Sequence, residues 1–428
     1  MATHVWIPAW SEPLNNRPAT SQTIAVDNVT AARLLIELGD WAHARMILEA
    51  STASDPSNPE AWFLLGMARR GGGDERAAAD AFRHAIKLQP SSPRPYLELG
   101  RSLTEIKEFD DAKKAFDQGL ALADNRVVRR NIRNYLKIIE QNRELNFSIA
   151  ARVQPDTNPA ASSGQKVVNI GGIPFVLNSP PSNKSAFGAG ITTAIRYAPW
   201  ITDETRMVGE IGYSGIHFLH ACCSDDNFSA AVGPSFQIQN FEITPQAYYR
   251  YRLYDGRAYS EEEGLRLGTA YHQSSYQLGV GAEAGKARLL EIQLPGTVAR
   301  GYASADLAVF RSFSVGTTIR YERDNYPIPS QAFSAPSIEL RSSFLGPWDL
   351  PASMWTTFLY RDYDGATLTS SGVRIDRYWS FGISVELDFL NIWGMSPSVG
   401  LAYETESSTD QLGRFDRVRV LVGIGKVF

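Results

Sequence analysis

Trp379-Ser380-Phe381-Gly382-Ile383-Ser384-Val385-Glu386-Leu387-Asp388-Phe389 places a large apolar residue at every second position and a small, polar or acidic one between. Successive side chains of a β-strand point to opposite faces, so this stretch makes a ribbon with one greasy and one wet face. The same alternation runs through Phe313, Val315, Thr317, Ile319 and Tyr321 against Ser314, Gly316, Thr318, Arg320 and Glu322. It returns from Tyr276 to Gly285 and from Phe187 to Tyr197. A soluble sandwich would turn the apolar face inward. A membrane barrel turns it toward lipid and the small or polar face toward a lumen. Length favours the barrel: the alternating runs span about ten residues, enough for a tilted strand to cross the hydrocarbon layer, whereas sandwich strands are nearer ~5–6. Tyrosine and tryptophan collect near the run ends (Trp200, Tyr254, Trp348, Trp355), where interfacial girdles belong.

Strands are expected to start near 145, 186, 205, 227, 240, 260, 274, 299, 313, 335, 351, 374, 395 and 415, a transmembrane antiparallel β-barrel of about 14 strands over residues 145–428. An even count returns both ends of the barrel to one compartment. Short connections are expected at 198–204, 238–240, 311–313, 347–350 and 390–394, and long polar ones at 155–185, 217–226, 286–298, 323–334, 363–373 and 406–414. Short turns face the periplasm and long loops the outside.

Upstream of residue 145 the period changes. Asp55-Pro56-Ser57-Asn58-Pro59 returns 34 residues later as Gln89-Pro90-Ser91-Ser92-Pro93. Trp62, Leu65, Gly66, Ala78 and Phe82 are echoed by Tyr96, Leu99, Gly100, Ala112 and Phe116, and a weaker unit carries Leu35, Ala44 and Leu48. This is the tetratricopeptide (TPR) period, and three such units are about the minimum for a stable stack. Val128, Ile132, Tyr135 and Ile139 form the apolar stripe of a capping helix. Residues 26–144 therefore read as an α-solenoid, and the chain as an α + β multidomain protein. Inward positions of the first helix of each repeat line a groove: Arg33, Phe63, Met67, Arg70, Arg94, Leu97 and Arg101, a mixture of cations and apolar contacts suited to a protein client.

A net charge of −4 gives no reason to expect nucleic acid, and no run approaches 18 apolar residues, so no transmembrane helix is expected. Met1 to Trp10 lack a charged n-region and a long apolar core, and residues 1–25 read as a disordered lead-in. His217, His220, Cys222 and Cys223 form the best metal-like cluster; a vicinal disulfide or a chance grouping competes with a metal site. Glu261-Glu262-Glu263 reads as a solvated strand start. No Ser/His/Asp set has local support, so neither catalysis nor a cofactor is expected.

Several short phrases resemble the surface lipoprotein assembly modifier (Slam) family, which couples a TPR domain to a fourteen-strand barrel. They are Asn146-Phe147-Ser148 leading to Gln154-Pro155-Asp156-Thr157-Asn158, Gly171-Gly172-Ile173-Pro174-Phe175, Arg374-Ile375-Asp376-Arg377, and Gly394-Met395-Ser396-Pro397 followed by Tyr403-Glu404. The resemblance spans most of residues 27–428, with Pro159-Ala160 standing where the family usually carries a second asparagine. It implies delivery of client proteins, often lipoproteins, from the periplasm to the surface of a Gram-negative cell. It implies outer-membrane lipid around the barrel and assembly machinery that reads Val420, Val422, Ile424 and the terminal Phe428, although Lys426 interrupts that run. Exporters of exopolysaccharide also place TPR repeats before a barrel; a lumen lined by a ladder of one charge sign would favour them.

Overall fold

The computed structural model describes residues 27–177, 184–219, 222–273, 275–310, 312–390, 392 and 395–427. The lead-in, His220 and Phe428 lie outside them. The chain divides into two compact units, residues 1–139 and 140–428.

The first unit holds α1 (Asn28–Glu37), α2 (Trp41–Ser54), α3 (Pro59–Gly71), α4 (Glu75–Leu88), α5 (Pro93–Glu105), α6 (Phe109–Leu122) and most of α7 (Arg126–Asn142). Starts are set locally. Asp27, Asp40, Asn58 and Asp74 each accept a backbone N–H of the first turn, and Pro59 and Pro93 occupy the first helical position, where no N–H is needed. The 34-residue echo is a packing rule. Phe82 and Phe116 are fully buried, and their rings press on Gly66 and Gly100, where an added Cβ would lie 2.5 and 2.7 Å from ring carbons. Ala44, Ala78 and Ala112 are fully buried at the matching crossings. Ile132 and Ile139 of α7 are fully buried in the same core, with Val128 and Tyr135 against it, as a cap requires.

The second unit is a closed barrel of fourteen strands: β1 (Leu145–Asp156), β2 (Ala186–Tyr197), β3 (Thr205–Phe218), β4 (Asp225–Ile238), β5 (Phe241–Tyr254), β6 (Arg257–His272), β7 (Tyr276–Leu289), β8 (Leu294–Phe310), β9 (Phe313–Asn325), β10 (Phe333–Leu345), β11 (Pro351–Ala366), β12 (Val373–Glu386), β13 (Pro397–Ser408) and β14 (Phe415–Val427). Each pairs antiparallel with its neighbour in sequence, and β14 closes on β1. Large apolar side chains stay exposed on one face: Phe187, Ile191 and Ile195 on β2, Leu265 and Leu267 on β6, Val399 and Leu401 on β13. An apolar belt exposed on a closed barrel is the outward face of a membrane span.

Some expectations change. The long connections are shorter than expected because the strands continue: β7 and β8 reach Leu289 and Leu294, leaving four residues where 286–298 was expected. A two-residue turn, Asp255-Gly256, escaped notice; both have positive φ (51° and 74°), the condition of a tight hairpin turn. The first long loop holds a small hairpin, Val167–Ile170 against Ile173–Val176, turned on Gly171 and Gly172 at φ 59° and 84°. The opening stretch ends its strand at Glu386, so Leu387 to Phe389 belong to a turn. Trp355 leaves the girdle and lies across Gly382, whose added Cβ would meet its ring at 2.1 Å.

Candidate functional site

Two surfaces have the chemistry to hold another molecule. The first is the helical groove. Ion pairs join first helices of consecutive repeats: Arg33 of α1 with Glu60 of α3, and Arg70 of α3 with Glu98 of α5. Arg101 also binds Glu98, at 3.1 Å, and its guanidinium lies 5.0 Å from the Tyr135 ring centre. Glu98 is buried, so one sequestered carboxylate fixes two guanidinium groups. Arg94 is exposed and stacks 4.9 Å over Phe63. Met67 and Leu97 are half-buried beside them, while Phe63 is buried against Phe82 and offers the groove little surface. Each guanidinium carries five N–H donors in a planar fork, more than one carboxylate can accept, so donors remain for a ligand.

The second surface is the barrel lumen. Its wall carries charges of both signs, bound across strands. Arg250 of β5 grips Glu283 of β7 through both terminal nitrogens, at 2.7 and 2.8 Å. Arg300 of β8 reaches Glu262 at 2.8 Å, Glu283 at 3.0 Å and Glu322 at 2.9 Å. Across the lumen Arg374 holds fully buried Asp376 at 2.8 Å, and Arg417 and Arg419 both hold Glu404. Sequence reasoning put Glu322 on the wet face and quoted Arg374, Asp376 and Glu404 in short phrases, but it saw none of these pairings. Glu262 in particular belongs to the lumen rather than to a solvated strand start. A charge at alternate positions of neighbouring strands was the available signal. A cavity of about 850 Å³ lies inside the wall, lined by Arg266, Arg320, Arg341 and Glu210 among others. The one-sign ladder of a polymer exporter does not occur among the described residues.

The seam between β1 and β14 pairs Ser148 through Val153 with Val427 through Val422, then resumes at Asp156 with Arg419. Gln154 and Pro155 drop out of that ladder; proline has no N–H to give it. Beyond the gap the seam is clasped. Thr157 N–H donates to the Val418 carbonyl at 3.1 Å, Val418 N–H to Thr157 Oγ1 at 2.8 Å, and Asn158 Nδ2 to the Asp416 carbonyl at 3.3 Å. The Pro-Asp-Thr-Asn phrase thus ties the ends of the closing strands. Gln411 joins Asn169 and Thr369, knitting three loops together. Val422 is exposed on the apolar face and Val420 and Ile424 are half-exposed, each registered on a β13 neighbour.

The described members of the metal-like cluster have other partners. Cys222 and Cys223 are bonded to each other, and His217 Nε2 lies 3.0 Å from Asp226 Oδ1. Among the described residues no group of three His, Cys, Asp or Glu is placed to hold a metal.

A TPR stack and a closed barrel with an apolar outer belt define a TPR–barrel protein whose fold fits an outer membrane. Residues 29–93 match the tetratricopeptide repeat family and residues 208–428 match the surface lipoprotein assembly modifier family. The chain belongs to the surface lipoprotein assembly modifier family. Curated relatives are matched over short stretches, and the chain spans less than a sixth of the length of each. The PEX5-related protein of Mus musculus is 31% identical over 77 residues, 18% of this chain and 14% of that protein. The chloroplastic PsbB mRNA maturation factor Mbb1 of Chlamydomonas reinhardtii is 36% identical over 50 residues, 12% of this chain and 8% of that protein. Among solved structures, the type III secretion translocator chaperone SycD of Yersinia enterocolitica is similar over 27% of this chain and 81% of that one, with 16% identity and a TM-score of 0.26. The Sgt2 TPR domain of Aspergillus fumigatus is similar over 27% and 78%, with 16% identity and a TM-score of 0.25.

Proposed function

We propose that this protein is a non-enzymatic outer-membrane factor that delivers lipoproteins, or related secreted proteins, to the cell surface. One observation carries the reading: the barrel half of the chain matches the surface lipoprotein assembly modifier family and is preceded by a protein-binding repeat. In this reading the TPR groove faces the periplasm and captures the client through Arg33, Arg70, Arg94 and Arg101, with Met67 and Leu97 as apolar contacts and the Phe63 ring beneath Arg94. The barrel then serves as conduit or as folding template. A client strand could add at the seam, where the missing ladder bonds at Pro155 leave backbone groups for pairing. Barrel-assembly machinery would read Val420, Val422, Ile424 and Phe428 during insertion. Polymer export gains no support from a lumen wall that carries paired charges of both signs rather than a ladder of one.

The test is co-expression with a lipoprotein encoded beside this chain, scored by protease access in intact cells. Client degraded from outside only when this protein is present supports the reading; equal degradation without it refutes the reading. Arg33→Glu, Arg70→Glu and Arg101→Glu together are expected to abolish client capture in pull-downs while the barrel still assembles. Unchanged capture removes the groove from the account.

A further inference from the structure

The lumen cavity holds a cation that the wall leaves unused. Arg320 of β9 lines it, is exposed within it, and makes no ion pair or hydrogen bond among the described residues. Its neighbours Arg341 and Arg266 meet carboxylates only at long separations. Arg341 on β10 reaches Asp306 at 3.6 Å and Glu339 at 3.4 Å, separations longer than a charge-assisted hydrogen bond of about 2.7–2.9 Å. Arg266 reaches Glu210 at 3.2 Å, and its Nε donates to the neutral Gln246 at 2.7 Å. By contrast Arg250 and Arg300, farther along the wall, are saturated by close carboxylates. Six arginines line the cavity against four carboxylates, Glu210, Glu242, Glu283 and Glu322, so positive charge is in excess there. Between the charges stand small or neutral residues such as Gly268, Thr244, Gln277 and Ser304, together with the apolar Val208, Leu267 and Leu359. Hydroxyl and amide groups in such a wall suit a polar backbone. At about 850 Å³ the cavity falls in the range of sites that enclose ligands, roughly 300–1,000 Å³.

We propose that the lumen is a binding site for an extended, acidic polypeptide segment, held by its carboxylates on Arg320, Arg341 and Arg266. This rests on the delivery reading and gives it a chemical content: the client region that occupies the lumen carries Asp or Glu side chains. Guanidinium forks match carboxylates bidentately, which gives register along the chain as well as attraction. Arg320 is the position that decides occupancy, because no wall carboxylate has to be displaced from it.

The full chain in detergent, titrated by fluorescence anisotropy with three labelled ten-residue peptides of alternating Asp-Ser, Asn-Ser or Lys-Ser, tests the site. The Asp peptide is expected to bind best, and its affinity to weaken with added salt. Arg320→Glu with Arg341→Glu should lower that affinity by about tenfold or more, the loss expected from ~1.4 kcal/mol of binding free energy. Arg320→Lys should retain most of it. Arg33→Glu, Arg70→Glu and Arg101→Glu in the helical groove should leave a binding phase that the lumen pair removes. Heat-modifiable gel mobility shows that each variant keeps its barrel. Equal binding of the three peptides, an affinity untouched by the lumen pair, or displacement of the peptide by lipopolysaccharide alone overturns the proposal. Client surface exposure, scored separately, keeps the two ideas apart: delivery that persists while the lumen pair leaves peptide affinity unchanged sinks the lumen site and spares the delivery reading.

Discussion

Single residues hold the loops and the repeats in shape by different physics. Asp410 is buried, and burial alone would raise its pKa. Hydrogen bonds from Thr369 at 2.6 Å, the Leu412 N–H at 2.9 Å and Thr367 at 2.8 Å, with Arg374 nearby, outweigh burial and hold the carboxyl below its ordinary value. A depressed pKa stabilises the folded form above the unfolded value of about 3.9, and that contribution disappears as pH falls through the lowered value. Protease cutting in the 367–372 and 409–414 loops is therefore expected to stay slow at neutral pH and to accelerate below about pH 4. Asp410→Asn should cut faster at neutral pH and lose most of the pH dependence; an identical profile would show that the carboxylate is not what pins the loops. In the helical unit, Gly100→Ala would push a methyl into the Phe116 ring. Overpacking of this kind costs about 1–3 kcal/mol, read as an earlier loss of the helical circular-dichroism signal on heating. An unshifted helical melt would mean that the ring moves aside freely.

At the scale of elements, the seam closes the barrel and is the proposed place of client addition. Ala151 and Ile424 are registered partners across it. Cysteines at both positions, in a chain whose Cys222 and Cys223 are serines, are expected to crosslink. If clients add a strand at the seam, the crosslink stops surface delivery and reductant restores it. Full delivery through an oxidised seam would place the route elsewhere. Strand faces were legible in the sequence because alternation is local. The largest displacement among the starts is at β8, which begins at Leu294 rather than near 299. Loop lengths were not, because polar residues at strand ends look like loop while still pairing, as Lys286 and Thr297 do. The lumen pairs were hidden for a different reason. Arg250 meets Glu283 two strands away, and only the register brings them together. The repeat positions were legible because TPR units recur, yet the burial of Glu98 beneath two arginines depends on packing between α3 and α5.

For the whole molecule, the governing fact is the direction in which the apolar face looks. Leu401 is half-exposed on that face and registered on Val420 and Ile383. Leu401→Arg is expected to cost about 2–4 kcal/mol near the bilayer midplane, measured as a shift in denaturant-driven unfolding from lipid vesicles. A neutral result would argue that the site never meets hydrocarbon. Ile191 and Thr192 supply the most direct measurement, being adjacent on β2 with side chains on opposite faces; Ile191 is exposed on the apolar side and Thr192 Oγ1 lies 3.2 Å from Ser214 Oγ on the inner side. A fluorophore on a single cysteine at each position, in vesicles of brominated lipid, reads the two environments separately. The account predicts strong quenching at 191 with little from an aqueous quencher, and the reverse at 192. Quenching by lipid at 192 but not at 191, or equal access to water at both, would contradict a barrel that turns its apolar face to the membrane.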